Sequence, residues 1–123
     1  PTAWHTAAGG YGGGLTWTRN NDRVRANYNW ARWYPDLEAG RYEVYVYVPA
    51  QRATTTEARY WVSHYDGLTL RKVNQAASGG QWVSLGTYRF RSGSGSYVSL
   101  ADVTGEGYLS TEIAFDAVKW VPR

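Results

Sequence analysis

Apolar and polar residues alternate with a period of two along most of this chain, and the 3.6-residue period of an amphipathic helix is almost absent. In Arg41–Pro49, Tyr42, Val44, Val46 and Val48 share one side, while Glu43, Tyr45 and Tyr47 share the other. Pro49 closes that strand because it has no N–H to give to a ladder. The run Glu57–Tyr65 sets Ala58, Tyr60, Val62 and His64 against Arg59, Trp61, Ser63 and Tyr65. Asp66-Gly67 supplies a tight-turn dipeptide and Leu68–Val73 the returning strand, so these two runs predict a hairpin.

The remaining punctuation is equally strand-like. Gly79-Gly80 turns the chain into a strand over Gln81–Phe90, where the apolar phase slips at Gly86 and predicts a bulge. Arg91–Ser96 reads as a Ser/Gly loop, Tyr97–Ala101 as a short strand and Asp102–Gly107 as turns. Glu112–Val121 alternates Ile113, Phe115 and Ala117 against Ala114, Asp116, Val118 and Trp120, and predicts the last strand. Upstream, Arg23–Trp33 predicts one more strand, closed by Tyr34-Pro35-Asp36. Gly9–Gly14 is too rich in glycine for a regular element and reads as a loop that brings backbone close to something. Seven or eight short strands without a convincing helix predict an all-β, antiparallel sandwich of the jelly-roll type. No linker or 20–50-residue repeat interrupts 1–123, so a single domain is expected.

Composition narrows the chemistry. The 123 residues contain no cysteine, which removes disulfides, thiolate metal sites and cysteine nucleophiles. No apolar run approaches the ~20 residues of a membrane helix, and neither a membrane partner nor a signal peptide is expected. The absence of methionine, even at position 1, points to a mature or excised piece. Seven Trp and eleven Tyr stand against two Phe, a bias toward rings with a polar handle that suits half-wet surfaces. Thirteen basic and ten acidic residues leave a net charge of +3, which permits an anionic partner without demanding one.

Catalytic and cofactor motifs are missing. His5 and His64 lie far apart and outside metal spacing, and there is no nucleophile elbow, phosphate loop or dinucleotide fingerprint. Arg89 and Arg91 flank Phe90, yet the aromatic motif of an RNA-recognition sheet is absent, so nucleic acid is not the expected partner. What remains is an aromatic, polar surface. Sugar rings present apolar C–H faces to Trp and Tyr, and their hydroxyls take planar donors such as Arg. Strand parity offers Tyr45 and Tyr47, with Trp61 and Tyr65 from the next strand, as one ligand platform supported by Arg59. Core packing competes for the same rings, since either face of a sheet can be the inner one.

Read end to end, the chain resembles the golvesin C-terminal-like domain, a module also attached to xanthan-lyase-type and other secreted bacterial enzymes. The likeness runs through Gly10–Gly13, Ala31–Leu37, Gly40–Pro49, Gly80–Gly86 and Phe115–Trp120, in order over nearly the whole chain. It implies a galactose-binding-like β-sandwich, secreted or at the cell surface, acting as a non-catalytic accessory domain. Some galactose-binding-like modules hold a structural calcium, and Asp116 matches their last-strand Asp. Trp4-His5-Thr6, however, supplies no paired acids at the other end, and calcium wants six to eight oxygens. No cofactor is therefore expected.

Three functions stand in competition. The first is binding of polysaccharide or cell-envelope glycan through an aromatic and Arg surface. The second is a structural role, with aromatic faces and strand edges buried against self or a neighbouring domain. The third is a small glycan-active enzyme, for which Asp36 and Asp116 are the first acids to try.

Overall fold

A computed structural model describes residues 4–24 and 28–123, and ten strands run through them. They are β1 (His5–Ala8), β2 (Gly14–Arg19), β3 (Trp30–Trp33), β4 (Gly40–Val48), β5 (Ala58–His64), β6 (Gly67–Val73), β7 (Gln81–Phe90), β8 (Tyr97–Ala101), β9 (Glu112–Phe115) and β10 (Val118–Pro122). Hydrogen bonding orders them as three sheets, β1-β2-β9, β10-β4-β7 and β3-β8-β5-β6, and every strand pair is antiparallel. The architecture is an all-β sandwich.

Alternation decides which side chains fill it. Val44, Val46 and Val48 of β4 join Tyr60 and Val62 of β5, Val98 and Leu100 of β8, and Leu15, Ile113 and Phe115 of the third sheet in one core. Each such side chain, fully buried, contributes about 1.5–3 kcal/mol. The bulge expected at Gly86 is present. Val44 lies opposite Gly86 but Tyr45 lies opposite Ser84, so Leu85 is the extra residue and turns into the core. Gly86 takes φ +106°, where a side chain would be strained and its Cβ would stand 2.8 Å from the Tyr88 hydroxyl.

Four expectations change. The predicted strand Glu112–Val121 breaks at Asp116-Ala117: β9 pairs with β2, whereas β10 pairs with β4, so one chain segment serves two sheets. The predicted strand Arg23–Trp33 is regular only at Trp30–Trp33, and its Arg25–Asn27 portion lies outside the described residues. The hairpin turns one residue earlier than Asp66-Gly67. His64 pairs with Gly67, leaving Tyr65 and Asp66 as the loop and Gly67, at φ +122°, as the first residue of β6. Finally β1 and β2 flank the glycine-rich stretch, which itself holds a short 3-10 turn at Tyr11–Gly13. Thr, Ala and Gly make up much of β1 and β2, so their apolar alternation is thin.

Two polar elements pin the interior. Gln75, fully buried in the loop after β6, donates to the Tyr60 hydroxyl and to the Ala114 carbonyl, both at 3.0 Å. Its Oε1 accepts the Ala114 N–H at 3.1 Å. At one end, Glu106 accepts from the Thr55 and Thr111 hydroxyls and from the N–H and hydroxyl of Thr56. Burial works against its charge, but these donors outweigh it and hold the carboxyl below the usual range.

Asp116 occupies the corner between β9 and β10. Its Oδ2 accepts the Tyr11 N–H at 2.9 Å, which ties the glycine-rich turn to the corner. Gly10 is needed there, because a Cβ would stand 2.1 Å from the Gly14 carbonyl oxygen. Burial pushes the Asp116 carboxyl up, against the pull of the Tyr11 and Ala117 N–H groups. A carboxyl raised on folding holds its proton more tightly in the native state, so its contribution to stability falls as pH rises through the folded value. We expect Asp116→Asn, whose amide oxygen can still accept from Tyr11, to lose that decline above about pH 4, the ordinary Asp range. Urea midpoints of the two proteins measured across pH 3–8 check this; a constant difference between them would contradict it.

Candidate functional site

The outer face of β3-β8-β5-β6 follows from the parity of its strands. The inward residues of β5 are Ala58, Tyr60 and Val62, so Arg59, Trp61 and Ser63 point outward. Register then fixes their neighbours: Trp61 lies between Ser99 of β8 and Leu70 of β6, and Ser99 in turn faces Arg32 of β3. One row up, Ser63 lies between Tyr97 and Leu68. On the other side, Arg59 pairs with Lys72, and Trp30 pairs with Ala101.

Small residues around a large one give this face its relief. Trp61 is 42% exposed, and Ser99, Ser63 and Ala101 leave room beside it. Two open hollows result, with Trp61 forming a wall of each. The first, about 230 Å³, is lined by Arg32, Trp61, Leu68, Tyr97 and Ser99. The second, about 330 Å³, includes Arg59, Trp61, Leu70, Tyr28 and Val103. Arg32 is held in place by the rings around it: its guanidinium lies 4.3 Å from the centre of the Tyr97 ring and 5.4 Å from that of Trp30. Such contacts orient a cation without neutralising it. Its bond to the Tyr34 hydroxyl raises its already high pKa, so it is charged at any working pH.

Tyr45 and Tyr47 are elsewhere. They stand on the outer side of β10-β4-β7, a different sheet from Arg59 and Trp61. The segment Pro49–Glu57 carries the chain from one sheet to the other, so the single platform expected from parity does not form. Both tyrosines are engaged by their own chain. Tyr47 packs against Trp82 at 5.3 Å and Tyr11 at 5.5 Å between ring centres. The Tyr45 hydroxyl accepts from Arg123, and the Lys119 ammonium lies over the Tyr45 and Trp82 rings. Tyr65, in the loop after β5, has the guanidinium groups of Arg89 and Arg91 at 4.7 and 4.3 Å from its ring centre. Of the five residues, the structure gathers Arg59 and Trp61.

Arg32, Tyr97, Trp30 and Leu68 join them, and sequence reasoning passed these over. Their signal was present, since Trp30 and Arg32 alternate with Ala31 and Trp33. Using it required knowing that β3 lies beside β8 and not beside its neighbours in sequence.

His64 stacks on Tyr88 and bonds the Thr69 hydroxyl, while His5 stacks on Trp17. Burial lowers the His64 pKa against the pull of Asp66. Asp36 is exposed after β3, and Asp116 is committed to Tyr11. Among the described residues, no three His, Cys, Asp or Glu side chains gather where a metal ion would need them.

The family model described as the Golvesin C-terminal domain matches residues 2–122. A xanthan lyase of Bacillus sp. (strain GL1) is 41% identical over 86 residues, which is 68% of this chain and 9% of that protein. A solved structure of Paenibacillus xanthan lyase superposes with a TM-score of 0.82 at 26% identity, covering 98% of this chain and 11% of that one. The chain thus spans about a tenth of the length of the relatives it matches.

Proposed function

The chain belongs to the Golvesin C-terminal domain family, and from that premise we propose that it is a non-catalytic module of a secreted bacterial protein, holding polysaccharide or cell-envelope glycan on the outer face of β3-β8-β5-β6. The observation that carries this reading is Trp61, a large ring half out in solvent at the middle of a sheet, with a hollow on either side. A pyranose ring laid on the indole buries apolar C–H surface, and its hydroxyls fall within range of Arg32, Ser99 and Arg59. This needs no cofactor and no catalytic acid. Likeness to a small part of two xanthan lyases supports attachment to enzymes that act on polysaccharide.

One feature favours a second reading. Leu68 is 57% exposed beside Trp61, and an apolar residue at that place also suits docking of a neighbouring domain or a second copy. Affinity electrophoresis decides between them. The protein is run through gels containing xanthan, polygalacturonate, alginate, hyaluronate, dextran or hydroxyethylcellulose, and its mass is measured by light scattering. We expect a monomer retarded by at least one polysaccharide. A protein that migrates freely in all six gels contradicts glycan binding, and an oligomer that hides Trp61 from fluorescence quenchers favours the second reading.

A further inference from the structure

The charge on the proposed face is one-sided. Strands β3, β8, β5 and β6 contain no Asp or Glu at any position, whereas Arg32, Arg59 and Lys72 all stand on their outer side. Elsewhere three arginines meet acids, Arg52 with Glu112, Arg89 with Asp66 and Arg123 with Glu43, at 2.8–3.0 Å, while among the described residues Arg41, Arg71 and Arg91 form no such pair. No carboxylate among the described residues pairs with Arg32, Arg59 or Lys72. The Arg59 Nε is in addition buried without a hydrogen-bond partner. A buried donor left unmade is costly, and one that belongs to a charged guanidinium more so.

Position sharpens the point. Each hollow beside Trp61 contains one arginine, Arg32 in the first and Arg59 in the second. Arg32 is two strands from Trp61, or about 10 Å at ordinary strand spacing. Arg59 is two residues along β5 on the other side, or about 7 Å. A guanidinium binds a carboxylate with two parallel N–H···O bonds, a match that neutral hydroxyls do not offer.

We propose that the glycan taken by this face is an acidic polysaccharide, whose carboxylates are received by Arg32 and Arg59 on either side of the sugar stacked on Trp61. This rests on the glycan-binding reading above and names its ligand class. Lys72, opposite Arg59, adds unpaired positive charge at the same end. Trp61 supplies contact that any sugar can use, and the two arginines supply the selection for acid.

The test uses the carboxylated polysaccharides polygalacturonate, alginate and hyaluronate, each with its methyl-esterified form, which keeps the backbone and removes the charge. Dextran and hydroxyethylcellulose are the neutral references. We expect retention by at least one acid form, weakened at least ~10-fold by esterification, the factor that loss of a charge-assisted contact implies. Arg32→Gln and Arg59→Gln should each weaken binding to the acid form by a similar factor and flatten its dependence on NaCl. Their binding to the ester form should stay as in the parent protein. A Lys119→Gln variant, which removes one positive charge from the other sheet, controls for net charge and should bind normally. Equal retention by acid and ester forms, or by neutral polysaccharides alone, overturns the inference and leaves the glycan-binding reading standing. Retention by none of the polymers overturns both. Circular dichroism and thermal midpoints of the variants show that they are folded, and Arg59→Gln is expected to fold normally because it removes the unpaired donor.

Discussion

Replacing Trp61 with alanine is expected to weaken retention by polysaccharide roughly ten-fold while shifting the thermal midpoint by only a few degrees. A ring stacked on a ligand contributes on the order of 1–2 kcal/mol through buried apolar area and contact, which is about 5- to 30-fold in affinity. The small effect on stability follows from position. Trp61 points away from the core, and the inward residues of the same strand, Ala58, Tyr60 and Val62, are buried independently of it. Trp61→Phe should recover part of the binding, because it retains a flat apolar face. Trp82→Ala, on the other sheet, and Tyr11→Ala, in the 3-10 turn whose ring packs against Trp82, should leave retention unchanged. If Trp61→Ala binds as well as the parent protein, the outer face of β3-β8-β5-β6 is not the binding surface.

The largest effect on stability is expected from Gln75→Ala. Gln75 is the single side chain that meets the Tyr60 hydroxyl and both backbone groups of Ala114. Its loss opens a buried hole and leaves those three groups without their partner in a place water does not reach. An unmade buried hydrogen bond costs about 1–3 kcal/mol, and neighbouring losses are not fully additive, so about 3–5 kcal/mol is expected in total. For a domain of this size that lowers the thermal midpoint by about 10–20 °C. Differential scanning calorimetry measures it directly. A fall of less than about 3 °C would mean that the loop after β6 does not hold β9 against β5 in the way described.

How much of this was legible beforehand depended on how local each feature is. The alternation through Tyr42–Val48 marks β4 and sorts its side chains into two faces, of which the structure buries the valine side, and the slip at Gly86 locates the bulge that turns Leu85 inward. Both are decided within a few residues. Resemblance in ordered blocks along the chain identified the family, which the match over residues 2–122 shows. The grouping of Tyr45 and Tyr47 with Trp61 required something else. Parity says which side chains of one strand share a side, but not whether the next strand continues the same sheet. The Pro49–Glu57 crossover sends β5 to the opposite layer, and nothing in its composition announces that step. The break at Asp116-Ala117 is hidden in the sequence for a similar reason: the period of two runs across it, and only the different partners of its halves reveal two strands. Arg32 and Tyr97 became visible as site residues once β3 was placed beside β8.

The most direct measurement is an amide and indole ¹H–¹⁵N titration of the labelled protein with oligosaccharides cut from whichever polysaccharide retains it. Shifts concentrated at the Trp61 and Trp30 indoles and at Arg32, Arg59, Tyr97 and Ser99 are the predicted result, with Tyr11, Tyr47 and Trp82 unmoved. Shifts gathered around Tyr47 and Trp82, with the Trp61 indole unchanged at saturation, would contradict the account.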